Sequence, residues 1–233
     1  MSKLAAALLL VCALIPAVGA QKQMKPWTEW SEKDARKILD NSPWGKTQVE
    51  TDTSEMFYNP GRSSTRDTQG ATNQATNVNY HIWFLSAKPI RQAFARVLEK
   101  QQKTPNPQLS ESLRSFVERK FDEWIVVAVT FDSPDGRYSG PALQAFNSAN
   151  TGLLKNRTYL ELKNGRRLFL QEYKPPINDG LGAKFIFPRL VGDEPFITRS
   201  AEEVRFYSEV SDKIKLNMRF KIPEMMYEGQ LEY

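Results

Sequence analysis

Val78-Asn79-Tyr80-His81-Ile82-Trp83-Phe84-Leu85 is the stretch that decides the fold. It alternates, with Val78, Tyr80, Ile82 and Phe84 on one face and Asn79, His81, Trp83 and Leu85 on the other. A period of two in β-branched and aromatic residues predicts a strand. Downstream, Ile90, Ala93, Phe94, Val97, Leu98 and Gln101 recur at helical spacing, with Pro89 at the first helical position. Thr104-Pro105-Asn106-Pro107 ends that helix, and a second is predicted over Leu109–Phe121. Trp124–Phe131, WIVVAVTF, is almost wholly apolar and is predicted to be a central strand buried on both faces. The order strand, helix, helix, strand suggests a crossover that makes the two strands parallel.

The C-terminal half reads as hairpins. Asn164-Gly165 between Arg157–Leu162 and Arg166–Tyr173 is a strong hairpin signal. Val204, Phe206, Ser208 and Val210 alternate, as do Ile214, Leu216, Met218, Phe220 and Ile222. Pairing Val210 with Ile214 through a three-residue loop keeps the apolar face whole. That register also sets Glu209 opposite Lys215 and Glu203 opposite Lys221. Lys184–Phe187 is a further short strand, and Pro141–Asn150 a short helix. Ser133-Pro134-Asp135-Gly136 and Asp179-Gly180-Leu181-Gly182 read as turns.

Upstream, Ser31 is expected to cap a helix carrying Ala35, Ile38 and Leu39 on one face, with Asp34 completing a capping box and Asn41-Ser42-Pro43 as the stop. Thr47–Tyr58 reads as extended. Asn59–Asn77, polar and containing Pro60, Gly61 and Gly70, reads as a mobile loop. Met1–Ala20 has one early lysine, an apolar run from Leu4 to Ile15, and small residues before Ala20. This is the layout of a secretory leader cleaved after Ala20. The run is shorter than the ~20 residues a membrane-spanning helix needs, so no permanent membrane anchor is expected after cleavage. Residues 21–233 are then expected to form one domain, periplasmic or secreted.

Composition mainly excludes. Cys12 is the only cysteine and lies in the leader, so the mature chain is expected to have no disulfide and no thiolate chemistry. Lys and Arg number 32 against 27 acidic residues, a net charge of +5 with no dense basic run, so no nucleic-acid partner is expected. His81 is the only histidine, which argues against a histidine-rich zinc site, and no Gly-x-Ser-x-Gly elbow supports a serine triad around it. No cofactor or metal is expected.

The candidate catalytic residues are Asp132 and Asp135, carboxylates at the end of the buried strand, together with His81. For Asp132 and Asp135 an ordinary turn competes with acid–base chemistry, and for His81 a hydrogen-bonded sheet histidine competes with a catalytic base. Among the five tryptophans, Trp27, nearest the mature end, is expected to be exposed. Trp27 and Trp83, the latter beside His81, are the candidate ligand contacts. Trp30, Trp44 and Trp124 are expected in the core. Lys213, Lys215, Arg219 and Lys221 form a basic outward face that Glu203 and Glu209 partly neutralise. Asn156-Arg157-Thr158 is a glycosylation sequon.

The run Trp30–Trp44, with Asp34-Ala35, Ile38-Leu39 and Ser42-Pro43-Trp44, and the ending Met226-Tyr227-Glu228-Gly229-Gln230-Leu231-Glu232-Tyr233 resemble the two ends of an uncharacterised family of exported, acidobacteria-type bacterial proteins. The resemblance implies bacterial export and a single domain, and it brings no catalytic residues. The fold class expected is α+β: a mainly antiparallel mixed sheet with the two central amphipathic helices packed on one face. The function expected is non-catalytic binding of an envelope protein or glycan. The alternative is a carboxylate-dependent hydrolase acting on envelope or extracellular polymers.

Overall fold

The computed structural model describes residues 25–52, 76–104, 106–134 and 136–233. In chain order the elements are α1 (Glu32–Asp40), β1 (Gly45–Asp52), β2 (Thr76–Phe84), α2 (Lys88–Gln101), α3 (Pro107–Glu118), β3 (Trp124–Asp132), α4 (Gly136–Ser148), α5 (Thr151–Leu154), β4 (Thr158–Leu162), β5 (Arg167–Phe169), β6 (Glu172–Lys174), β7 (Ala183–Pro188), β8 (Leu190–Val191), β9 (Glu194–Pro195), β10 (Glu203–Glu209), β11 (Lys215–Lys221), β12 (Met226–Tyr227) and β13 (Gln230–Leu231). The class is α+β. Every ladder among the described residues is antiparallel. The leader, most of the 59–77 loop and Asp135 lie outside the described residues; Asn77 lies within β2.

Two sheets stack. The first runs β1-β2-β3-β7-β6 and the second β11-β10-β4-β5. The alternation of β2 sorts its residues as the sequence predicts. Tyr80 and Phe84 face the second sheet and α4, where Tyr80 meets Phe146 at 6.3 Å and Phe84 meets Phe220 edge-on at 4.9 Å. His81 and Trp83 face the helices, with Trp83 6.4 Å from Phe94 of α2. Between the sheets, Phe185 and Phe187 close on Phe206 at 5.3 and 6.4 Å. The chain changes sheets between Leu170, whose amide donates to Thr158 O, and Gln171, whose amide donates to Ile186 O. The predicted strand Arg166–Tyr173 is therefore two strands, one in each sheet.

The expected parallel crossover is not formed: β2 and β3 pair antiparallel, with His81 opposite Thr130. The reason is the helix pair. A single helix carries a chain back to the start of the strand, but α2 and α3 run antiparallel to each other and return it to the end it left. Arg91 in the first turn of α2 shows this. Its Nε donates to Val117 O at the end of α3 (3.1 Å), and Nη1 donates to the carbonyls of Leu85 and Ser86 just after β2. Those carbonyls satisfy a buried guanidinium, which also lies 5.0 Å over the Phe121 ring. Burial pushes its pKa down to about 10. On this face α2 covers the sheet, and α3 lies against α2 through Ala95, Leu113 and Val117.

The capping box forms as predicted: Asp34 N donates to Ser31 Oγ and Ser31 N to Asp34 Oδ2. After α1 the chain turns within a few residues, with the Ser42 hydroxyl accepting from the amides of Trp44 and Gly45. A Cβ at Gly45 would lie 2.3 Å from Leu39 O, so only glycine lets β1 start this close beneath the helix. That approach carries Asp40, the last residue of α1, over the sheet.

The C-terminal hairpin has the predicted register, with Glu209 opposite Lys215 and Glu203 opposite Lys221. Glu209 pairs with Lys215 at 3.0 Å, while Glu203 pairs diagonally with Arg219 at 2.7 Å. The edge strands of the two sheets, β1 and β11, are stitched by one side chain. Gln48 Nε2 donates to Lys215 O and Gln48 Oε1 accepts from Asn217 N, both at 2.8 Å. The chain end packs on the start: Trp44 Nε1 donates to Glu232 O at 2.9 Å, and Trp44 meets Tyr227 edge-on at 6.1 Å. Glu232 Oε2 accepts from Lys88 N at the start of α2, supplying the cap that α2 does not provide for itself.

Candidate functional site

The polar positions of β2 gather partners from three neighbouring elements. Register sets His81 between Thr47 of β1 and Thr130 of β3, and Asn79 opposite Asp132. The His81 ring lies between two carboxylates. Nε2 is 2.6 Å from Asp132 Oδ2, and Nδ1 is 3.0 Å from Asp40 Oδ1. Thr47 Oγ1 is also 3.0 Å from Nδ1 and lies 3.3 Å from the Asp40 carbonyl oxygen. Asn79 Nδ2 donates to the other oxygen of Asp132 at 2.9 Å. The His81 side chain is 17 % exposed, Asp40 48 % and Asp132 60 %.

Asp132 titrates low. Partial burial pushes its carboxyl up, but the hydrogen bonds from His81 and Asn79, with the positive charge on His81, outweigh that and hold it below the usual carboxylate range. This is the electrostatics of an acceptor. A general acid near neutral pH needs the opposite shift. The two carboxylates sit at opposite ends of the imidazole, so they do not converge on one point. Among the described residues no three His, Cys, Asp or Glu side chains form a group able to hold a metal ion.

The structure therefore joins two of the predicted candidates, His81 and Asp132, and adds Asp40 and Thr47, which the sequence reading missed. Helix α1 ends at Asp40, and nothing in the sequence ties that end to the middle of β2 beyond the tight turn at Gly45. Asp135 lies outside the described residues. Trp83 is buried, and its Nε1 has no hydrogen-bond partner among the described residues. Trp27 is half-buried against the core, not exposed, because the short 3-10 turn Trp27–Glu29 folds it onto that surface. The exposed tryptophan is Trp124, at 38 %, since β3 begins there, at one end of the sheet.

Trp124 has exposed apolar company. It pairs with Pro188, and the next residues form the β8–β9 ribbon, whose Leu190 and Val191 are exposed. Arg189 turns the other way: its Nε donates to Phe121 O at 2.9 Å, and its guanidinium lies 4.1 Å over the Tyr233 ring. The basic outward face of β11 is largely matched, with Lys215, Arg219 and Lys221 each on a glutamate. In the sequon, the Thr158 hydroxyl is buried against Ser208 at 2.8 Å. No helix among the described residues is long and apolar enough to cross a membrane. Comparison of the chain with family models, with curated proteins and with solved structures finds no match.

Proposed function

We propose that this is an exported, non-catalytic binding protein, periplasmic or secreted, which engages an envelope protein through the apolar end of the five-stranded sheet. The observation that carries this reading is the commitment of its only histidine. Both ring nitrogens face acceptors supplied by the fold, and Asp132 serves as one of those acceptors. The groups best placed for acid–base work thus hold the end of α1, β1, β2 and β3 together. The apolar surface of Trp124, Leu190 and Val191 supplies the contact, because exposed large apolar side chains close together mark interaction sites.

The test uses purified residues 21–233 as bait in envelope extract, beside a Trp124→Ala/Leu190→Ser variant. A partner retained by the wild type and lost by the variant supports the reading. Hydrolysis of cell-wall fragments by the purified protein, abolished in Asp132→Asn, overturns it in favour of a carboxylate-dependent hydrolase.

A further inference from the structure

We infer that the His81 cluster is a proton-operated latch that fastens the C-terminal end of α1 to the sheet. An ionised carboxylate only accepts hydrogen bonds, so an imidazole facing one at each nitrogen needs two N–H groups. The doubly protonated ring meets that need. Nε2–H donates to Asp132 Oδ2, Nδ1–H donates to Asp40 Oδ1, and the Thr47 hydroxyl donates to the Asp40 carbonyl. When Nδ1 gives its proton to water, its lone pair faces the Asp40 carboxylate and that contact turns repulsive. Thr47 Oγ1 stands at the same 3.0 Å from Nδ1. Its hydroxyl rotates to donate there, leaving the Asp40 side chain free while Asp132 stays bound. The cluster has two arrangements, one with Nδ1 donating to the Asp40 carboxylate and one with Nδ1 accepting from the Thr47 hydroxyl, and a single proton chooses between them.

Among the described residues few groups face the ring. Asp40 comes from α1, Thr47 from β1, Asn79 and the Trp83 ring (6.5 Å away) from β2, and Asp132 and Thr130 from β3. Among the described residues Asp40 and Asp132 are the charged ones. Lys184, two strands away on the same face, is held by Asp179 at 2.7 Å. The latch uses a ring whose two nitrogens are distinct, one keeping its proton while the other gives it up. It rests on the geometry around the ring and is independent of the binding surface proposed above.

The chain's single histidine makes the test direct, because its ring resonances titrate alone in an NMR spectrum. Three variants are titrated beside the wild type. Asp40→Asn removes the charge that favours the doubly protonated ring, so the pH midpoint moves down. Thr47→Val removes the donor that favours the singly protonated ring, so the midpoint moves up. Each shift is on the order of half a pH unit, the scale of an ion pair this exposed. Thr47→Ser keeps the hydroxyl and stays at the wild-type midpoint. Asp40 is about half exposed and Thr47 partly so, and a folded spectrum is checked for each variant. An unmoved midpoint in either Asp40→Asn or Thr47→Val, or shifts of the same sign, overturns the latch.

Discussion

Asp132 accepts hydrogen bonds from two neighbours while more than half exposed, and that combination fixes both the sign and the size of its contribution. Its folded-state pKa is depressed, so the stability it supplies is present above the ordinary carboxylate value of 3.8 and is lost as pH falls through the lower folded value. Exposure screens the pair, so the contribution is about 0.5–1 kcal/mol. Urea unfolding of wild type and Asp132→Asn is expected to differ by that amount between pH 5 and 7 and to converge in strong acid. The sequence made His81 and Asp132 visible as separate candidates. It did not join them, because their contact depends on the antiparallel register of β2 on β3, and the strand–helix–helix–strand order suggested the opposite direction. Asp40 was hidden for another reason: its place follows from a three-dimensional approach at Gly45 that no side-chain pattern records.

At the scale of elements, packing outweighs pairing. Phe206 is fully buried and touches both Phe185 and Phe187, so Phe206→Ala is expected to cost about 3–5 kcal/mol. Glu209→Ala breaks an exposed, solvent-screened ion pair in the same strand and is expected to cost far less. Chemical denaturation of the two variants separates them. The hairpin β10–β11 was legible to the residue because apolar alternation and cross-strand charge agree on one register. Where only one pattern speaks, less could be read. The run Arg166–Tyr173 reads as one strand, yet the chain passes from one sheet to the other after Leu170, where the consecutive polar residues Gln171 and Glu172 interrupt the apolar pattern. Trp124 looked like core because its neighbours are apolar, and its exposure comes from standing first in β3.

For the molecule as a whole, the last residues act as a fastener. Glu232 and Tyr233 hold the start of α2, Trp44 and Arg189, three regions far apart in sequence. Deleting residues 230–233 removes a buried tyrosine, the cap on Lys88 N and the acceptor for Trp44 Nε1. The expected loss is about 3–5 kcal/mol, read as a lower midpoint in urea. An α+β class with the two central helices on one face was legible from periodicity. The second sheet as a separate layer was not, because the hairpins that build it also fit a single larger sheet.

Gln48 has a consequence for how copies of the chain behave together. Its amide meets β11 as the backbone of another strand would, with one donor and one acceptor at 2.8 Å. An open strand edge is a template on which a second molecule can add, and here a side chain occupies part of it. Gln48→Ala leaves the core untouched and is expected to change the unfolding midpoint little. It uncovers one amide and one carbonyl on the rim of β11, and the variant is expected to form thioflavin-positive aggregates sooner than wild type under agitation. Colloidal stability in this protein would then be guarded by a glutamine acting as a counterfeit peptide bond.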